Sequence, residues 1–523
     1  MREIFARAKN APLHLEARFH GSHWKRDRFS TFEKELLLHI SHICHLGINS
    51  KTGHVSHLLK LLGGLTSSPA PTLEHLSLSH DGQFQVYIPD TLFDSTTPRL
   101  SSLELRNCRI SWKTPLLNGL RCLELRTPNT RPSIADWLDA LNEMPQLERL
   151  VLHSASPIAP LFPFDVERAV TLPFLTHMDI SGPARDCALP LAHLVLPAIT
   201  WLSLTASCDN PDQDYTLKLL SCVARHAHRP QEDRPLQSML ICGKWTRCTH
   251  ILAWPAPDAY DFDVDGPTAL HAARPTARLA LTVVHKNGDR LDAYINAAMA
   301  ALPLNSLVTF ALHNKWMDVP IWEPFWPRAA PRWFLLQRVC LGMGLAVCGF
   351  IEFLLRDKEW RESSLLPSLT RLDLTGGMDS GAFLTLRLID ALMKRVEKGV
   401  QLETLDLRTC LATNDAVRPL CEIVVDVSAP EVRSPFVSSV NSGVEDYSDG
   451  DGDGDSDASD SDEEGEEEEN YSEIEGLSTI ASTSRRFWAT FSGRSGVELQ
   501  LCPFLFVDPD MCDVMILRSW VLR

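Results

Sequence analysis

One nine-residue frame occurs twice in the chain and limits the folds that the chain can adopt. Leu100–Cys108 reads L-x-x-L-x-L-x-x-C, and Leu402–Cys410 repeats that frame position by position. The centre of the frame alternates in polarity, so its leucines point to one side of an extended strand while Glu104 and Arg106 point to the other. A strand this short buries its leucines only when neighbouring strands cover them.

Shortened copies of the frame follow one another along most of the chain. Their mean spacing of about 30 residues is typical of leucine-rich repeats that contain a helix in each unit. Such units stack, because none of them can bury its apolar face alone. The predicted strand cores are 43–48, 73–78, 100–105, 120–125, 147–152, 175–180, 199–204, 236–241, 279–281, 307–312, 336–341, 369–374 and 402–407.

A proline precedes many of these strands at a constant distance, two residues before the first leucine or isoleucine. Proline lacks an amide donor and disfavours a helical conformation in the residue before it. We therefore expect it to end the connecting helix and to start the extended strand. These prolines are Pro71, Pro98, Pro145, Pro173, Pro197 and Pro367.

Amphipathic segments between the strands predict helices. Ser133 and Asp136 fit a variant of the capping box, and Trp137 and Leu141 then share one helical face. The alternation of strands and helices predicts an α/β fold, an irregular leucine-rich-repeat solenoid (horseshoe) with a parallel concave sheet and helices on the convex side. The other predicted helices are 55–62, 215–226, 291–302, 383–396 and 415–425.

The net charge of −17 comes from one segment. Residues 445–475 hold 17 of the 67 acidic residues and no Lys or Arg, and the other 50 acidic residues balance 50 basic ones. A segment of this composition cannot bury enough apolar surface to fold. We therefore predict a disordered acidic linker at 428–482, which follows an N-terminal segment at 1–35 and a repeat array at 36–427. The tail at 483–523 regains apolar residues and can form a cap.

Four serines of the acidic linker are each followed, three positions later, by an acidic residue. This spacing suits acid-directed kinases, so phosphorylation is one hypothesis and a plain solubilising linker is the other. The four serines are Ser448, Ser459, Ser461 and Ser472.

Known motifs of catalysis, cofactors and metals are incomplete or absent. The sequence contains no phosphate-binding loop, no H-E-x-x-H pair and no nucleophile elbow. Asp449–Asp460 begins like a calcium loop, but Ser456 replaces the usual apolar residue and no helices flank it. Gly342–Gly349 lacks the third glycine of a dinucleotide-binding turn. The histidines between residues 14 and 57 cross a change from helical to strand pattern, so we expect them to face solvent and not to bind zinc. We predict no enzymatic activity and no cofactor.

The cysteines indicate a reducing compartment. The chain has 14 of them and no C-x-x-C pair. Several stand at apolar or turn positions of the repeat, for example Cys108 and Cys340. Together with the charged start of the chain, which is not a signal peptide, this predicts a cytoplasmic or nuclear protein. The longest apolar run, 340–351, is too short to cross a bilayer, so we predict no membrane contact.

Several segments, and the order in which they follow one another, resemble a large fungal group of F-box proteins with leucine-rich-repeat-like C-terminal regions. The similarity covers roughly residues 1–430 and is carried by Arg7–Leu15, Leu103–Trp112 and Leu147–Leu150. In that family the F-box binds a cullin-linked adaptor, and the repeats recruit substrates for ubiquitination. The resemblance implies the same substrate-recognition role. No L-P-x-E helix precedes Arg7, so we expect the F-box to be missing from this chain.

Two functions fit these observations. The first is a non-catalytic scaffold that selects protein substrates for a ubiquitin ligase, with a cullin-linked adaptor only if an F-box lies upstream. The second is a chaperone of histones or other basic proteins that acts through the acidic linker. A leucine-rich-repeat adaptor that works without an F-box is a further alternative. We expect protein partners and no nucleic acid. The outward residues of rigid strands would contact the partner, with plain solvation as the alternative for each. These residues are Glu104, Arg106, Glu124, Arg126, Arg149, His153, Asp373 and Arg408.

Overall fold

The computed structural model of the chain describes residues 11–19, 26–82, 84–126, 132–157, 168–197, 200–208, 213–227, 235–244, 248–257, 277–285, 291–314, 322–342, 344–356, 366–375, 381–407, 414–429 and 516–519. All of them belong to a unit formed by Met1–Pro430 and Val507–Arg523, and a second unit spans Glu431–Phe506. Most of the predicted acidic linker, with its four serines, therefore lies outside the described residues.

Within the described residues, 17 strands form one mixed sheet in which parallel pairs predominate. In spatial order they are β21 (Ile516–Ser519), β1 (Leu13–Phe19), β2 (Ile43–Ser50), β3 (His75–His80), β5 (Ser102–Arg106), β7 (Cys122–Arg126), β8 (Arg149–His153), β10 (His177–Pro183), β12 (Trp201–Cys208), β15 (Leu279–His285), β14 (Cys248–Trp254), β13 (Ser238–Lys244), β16 (Thr309–Asn314), β17 (Arg338–Gly342), β18 (Arg371–Thr375), β19 (Thr404–Asp406) and β20 (Asp426–Ser428). Two short parallel pairs lie apart: β4 (Val86–Tyr87) with β6 (Cys108–Arg109), and β9 (Val170–Thr171) with β11 (Leu194–Val195).

The strand leucines align across the sheet and form its buried side. Leu46, Leu76, Leu103, Leu123 and Leu150 are register partners on five consecutive strands, and each is at most 1% exposed. Full burial of one leucine side chain contributes about 2 kcal/mol relative to its exposed state. The predicted α/β class, the mainly parallel sheet and the predicted strand positions are therefore confirmed.

A tight turn explains the recurrent prolines. The amide of Leu73 donates to the carbonyl of Ala70 at 3.2 Å, so Pro71 is the second residue of a four-residue turn, where the fixed φ of proline fits. The turn without proline also precedes β16 and β17, where the amides of Leu307 and Leu336 close it. The same bond, again with proline in second place, closes turns at Leu100, Leu147, Leu175 and Leu369.

Ten helices in the described residues pack on the buried side of the sheet, and their apolar residues share one core with the strand leucines. The helices are α1 (Arg26–His39), α2 (Val55–Leu65), α3 (Ile134–Asn142), α4 (Ala184–His193), α5 (Gln213–Ala227), α6 (Leu291–Ala301), α7 (Trp322–Ala329), α8 (Gly344–Leu355), α9 (Gly381–Glu397) and α10 (Asn414–Ile423). Every helix predicted from the sequence is present. Ser133 caps α3, and its hydroxyl oxygen accepts the amide of Asp136 at 3.1 Å. Among the described helices, none has both the length and the hydropathy needed to cross a membrane.

Basic side chains attach successive helices to each other. Arg225 of α5 donates to the carbonyls of Leu191 and Ala192, at 2.8 and 3.1 Å, in the last turn of α4. Lys394 of α9 donates in the same way to the carbonyl of Leu355, the last residue of α8. The last carbonyls of a helix lack partners inside the helix and carry the negative end of its dipole, so a cation satisfies both needs.

The sheet begins earlier in the sequence than the predicted array. Strand β1 belongs to the predicted N-terminal segment 1–35, yet it pairs in parallel with β2. Strand β21 pairs antiparallel with β1. It is the described part of the tail at 483–523, whose role as a cap stays a prediction.

The strand order departs from the expected succession in the middle of the sheet. Strand β12 pairs with β15, and β13 pairs with β16, so the chain returns through the antiparallel strand β14 between them. In a solenoid of successive repeats β13 would lie beside β12, and the predicted strand cores include none at β14. Spacing along the chain shows where strands occur, but partner choice depends on contacts between residues that are distant in the sequence.

The outward face of the sheet is apolar and buried in this middle region. Leu240, Leu252, Ala280, Ala311 and Cys340 align on five consecutive strands, and each is at most 2% exposed. They belong to a second apolar cluster, separate from the main core. Apolar residues therefore occupy outward positions in this middle region, and the outward face is polar over only part of the sheet.

The backbone conformation at Asn107, the residue after β5, can be tested by substitution. Asn107 has a φ of +52°, and its side-chain amide donates to the carbonyl of His80 at 2.9 Å. We expect Asn107→Ala to lower the free energy of unfolding by about 1–2 kcal/mol, since it loses the hydrogen bond and strains the backbone. Asn107→Gly should lose about half as much, because glycine adopts positive φ freely. Urea denaturation followed by circular dichroism measures both. Equal losses for the two variants would contradict a role for the backbone conformation.

Candidate functional site

Eight consecutive strands of the sheet, from β1 to β12 in the spatial order, carry three rows of side chains on their outward face. The rows arise because the strand register aligns every second residue across the strands. The histidine row is His14, His45, His75, Ser102, Cys122, Arg149, His177 and Trp201. The acidic row is Glu16, Gly47, Ser77, Glu104, Glu124, Val151 and Asp179. The basic row is Arg18, Asn49, Ser79, Arg106, Arg126 and His153. We call this surface the polar face.

A chain of polar contacts connects the rows on β7, β8 and β10. Glu124 lies 2.7 Å from Arg126 Nε and 3.5 Å from a terminal nitrogen of Arg149. Arg126 donates to His153 Nδ1 at 3.2 Å, and His153 Nε2 lies 3.4 Å from Asp179. The side chains of Glu124 and Arg126 are less than a fifth exposed, so solvent and salt screen this pair less than a surface pair. The contacts hold these side chains in place before any partner binds.

Glu104 is the exception among the carboxylates of the polar face. It accepts a hydrogen bond from the Ser77 hydroxyl at 3.3 Å and, within the described residues, forms no ion pair. Arg106, the next outward residue on its strand, lies 4.0 Å from Asp81 instead. Burial, and then the charge of Glu124, raise the pKa of Glu104 above its usual range.

The histidine row begins with a stack of imidazoles. The ring centroids of His14 and His45 are 5.5 Å apart, and those of His45 and His75 are 4.2 Å apart. Burial, followed by the charges of His75 and His14, lowers the pKa of His45 to about 4. Burial and His14 also lower the pKa of His75. His45 and His75 are therefore neutral near pH 7. At the other end of the row, His177 stacks on Trp201 at 5.8 Å.

A second charged group lies on β17–β19, around Asp373. The Asp373 carboxylate is 2.6 Å from Arg338 Nε and 2.7 Å from Arg371 Nε, and it accepts the Cys340 thiol at 3.1 Å. Its side chain is only 5% exposed. Burial raises the pKa of the Cys340 thiol well above its usual range, and the Asp373 charge adds to this. The thiol therefore stays protonated and acts as a hydrogen-bond donor.

Six of the predicted partner-binding residues come together on adjacent strands: Glu104, Arg106, Glu124, Arg126, Arg149 and His153. Asp373 lies apart from them on β18 and is not solvent-facing as predicted, because the buried residues Ala311 and Cys340 continue its row. Arg408, like the four serines, lies outside the described residues. Contact of any of these residues with a partner stays a prediction.

The histidine stack is not predicted from the sequence. There, His14 and His45 belong to a scattered, solvent-facing set, because β1 is not placed in the sheet. The available signal is the pair His-Leu, which recurs at the same position of β1, β2 and β3. Among the described residues, no group of three His, Cys, Asp or Glu side chains is arranged to hold a metal ion.

Comparisons with known proteins leave the family of the chain open. No protein-family model matches the sequence, and no curated protein shows significant similarity to it. The resemblance to F-box proteins thus stays a prediction.

The histidine stack predicts a loss of stability in mild acid. His45 titrates near pH 6.5 in the unfolded chain and near 4 in the folded protein, so below pH 6.5 the unfolded chain binds more protons. The stability contributed by the neutral imidazole is therefore present above pH 6.5 and is lost as the pH falls to 4. We expect a loss of about 1–2 kcal/mol, reduced by solvent screening at this half-buried site. Urea denaturation at a series of pH values measures it. His45→Gln should flatten the dependence, and an unchanged slope in that variant would refute the assignment.

The buried ion pairs of Asp373 predict a large loss of stability when the carboxylate is replaced by an amide. Asp373→Asn leaves two arginines without their carboxylate, and we expect the free energy of unfolding to fall by about 2–4 kcal/mol. Glu352→Gln serves as the control, since Glu352 pairs with Arg387 at 2.7 Å on a half-exposed helix surface. That pair should contribute less than about 1 kcal/mol. Similar losses in both variants, measured by urea denaturation, would show that burial does not strengthen the Asp373 pairs.

Proposed function

We propose that this chain is a non-catalytic scaffold that binds protein partners through the polar face. One observation carries the proposal: six polar side chains, chosen from the sequence as partner-binding residues, lie on three adjacent strands of a hydrogen-bonded sheet. Rigid strands hold these side chains with little freedom, so ordering them on binding costs little entropy. The prediction that the chain has no enzymatic activity is part of this proposal.

The finer architecture belongs to the same proposal. We interpret the sheet as the concave layer of a leucine-rich-repeat solenoid with its helices on the convex side. Each strand from β2 to β12 in the spatial order pairs with the next repeat in parallel, as stacked units require. The insertion of β14 makes the array irregular. In solenoids of this kind, the exposed strand face offers an extended surface to partners.

The resemblance to F-box proteins supports one role for this scaffold, the selection of substrates for a ubiquitin ligase. In that family the repeats recruit the substrate, and the polar face occupies the corresponding part of the chain. Attachment to a cullin-linked adaptor requires an F-box, which the sequence does not contain in recognisable form. A scaffold that works without an F-box is therefore a second form of the same proposal.

The alternative, a chaperone of basic proteins, rests on the acidic tract at 445–475. Charge attraction to a basic partner would be its driving force. That tract lies outside the described residues, so the chaperone role stays a prediction.

The scaffold proposal predicts a selective loss of partners. We expect Arg106→Glu combined with Arg149→Glu to reduce partner recovery by at least about tenfold, because it reverses two charges on the polar face. The matched control is Arg99→Glu combined with Arg121→Glu, two exposed arginines in the turns before β5 and β7. Affinity capture of the full-length protein from its own cells, quantified by mass spectrometry, compares the two.

With a third variant that lacks residues 445–475, four outcomes of the comparison are decisive. Partners lost with the first pair and kept with the control support the scaffold. Equal recovery with both pairs would contradict it. Recovery that depends only on residues 445–475 would favour the chaperone, and co-purified cullin subunits would support the ligase role.

A further inference from the structure

Two glutamates of the polar face lie side by side on adjacent strands. Glu104 and Glu124 are register partners on β5 and β7, and partners on adjacent strands lie about 5 Å apart. Glu124 is compensated by Arg126 and Arg149. Glu104 accepts from the Ser77 hydroxyl, and among the described residues it forms no ion pair. Arg126 and Arg149 favour its charged form, but burial and the charge of Glu124 disfavour it more strongly. The two charges repel each other, and only Glu124 is held in ion pairs.

The nearby arginines are already engaged elsewhere. Arg106 lies closest to Asp81, and Arg126 is shared between Glu124 and His153. The raised pKa of Glu104 shows that its charged form is disfavoured where it stands. A cation that arrives from outside would stabilise this carboxylate without breaking an existing ion pair.

We propose that the polar face binds an extended segment of a partner protein, and that a lysine or arginine of this segment pairs with the carboxylate of Glu104. The inference rests on the proposed scaffold function and specifies the chemistry of its partner. Arg106 and Arg126 are also register partners, next to the two glutamates on the same strands. The adjoining position of the partner segment should therefore be acidic.

The two rows argue against a uniformly charged ligand. A nucleic acid carries only negative phosphates, and the carboxylates Glu104 and Glu124 of the acidic row would repel them. A uniformly basic tail meets the same problem at Arg106 and Arg126 of the basic row. A segment of mixed charge that runs along the strands passes from the acidic row to the basic row and satisfies both, and polypeptides offer such patterns.

Selection from a peptide library tests the inference. Random peptides of about 12 residues, which span about 40 Å when extended, are displayed and selected on the full-length protein. We expect the selected peptides to share one lysine or arginine with an acidic residue close to it. Selection on Glu104→Gln should lose the cation, and selection on Glu104→Arg should replace it by an acidic residue. The Gln variant keeps a group that can bond to Ser77 and removes a repulsion, so it should fold normally.

A binding measurement completes the test. In a peptide selected on the wild-type protein, the cation is replaced by citrulline (for arginine) or norleucine (for lysine). We expect about tenfold weaker binding to the wild-type protein and no further change with Glu104→Gln. Glu148→Gln is the control, since Glu148 is half exposed and lies beside Arg121 in the turn before β8.

The possible failures are distinguishable. Peptides that bind, are lost with Arg106→Glu and Arg149→Glu, and carry no shared cation would overturn this inference and leave the scaffold standing. A cation that is kept on selection with Glu104→Gln would also overturn it. Failure to select any peptide on the polar face would count against both the inference and the scaffold.

Discussion

The hydrogen-bonded contact between neighbouring strands is the interaction on which the rest of the structure depends. Strands β3, β5, β7 and β8 each have only two inward leucines and cannot bury them alone. In the parallel register Leu103 lies between Leu76 and Leu123, so each of these strands covers part of its neighbours. The turn before seven of the strands, often with proline in second place, sets the start of the strand and thus the register.

The same register creates the polar face. Because inward and outward residues alternate, alignment of the leucines also aligns the side chains between them. On β5 and β7 the result is a pair of glutamates beside a pair of arginines, with like charges as lateral neighbours. Pairs along the strand, such as Glu124 with Arg126, offset part of this repulsion. Glu104 has no such pair among the described residues, and it is the residue through which we propose that the polar face binds its partner.

A structural feature of this chain is predictable from the sequence where its cause is local, and is not predictable where it depends on distant segments. The frame around Leu103 predicts its strand, and Ser133 predicts the start of α3, because each pattern acts within a few residues. The position of β14 between β13 and β15 depends on pairing between distant segments, which spacing does not encode. Six of the predicted binding residues lie together because they belong to consecutive repeats. Asp373 was expected at the surface, but its burial depends on Cys340 and on the apolar row of other strands.

The central claim is that neighbouring strands shield one another's leucines. Hydrogen–deuterium exchange on the full-length protein tests it most directly, through the backbone amides of β5, β7 and β8 with and without Leu123→Asp. If each strand depends on its neighbours, the substitution in β7 should increase exchange in β5 and β8 as well, by at least about tenfold. Faster exchange confined to β7, with β5 and β8 unchanged, would contradict the account.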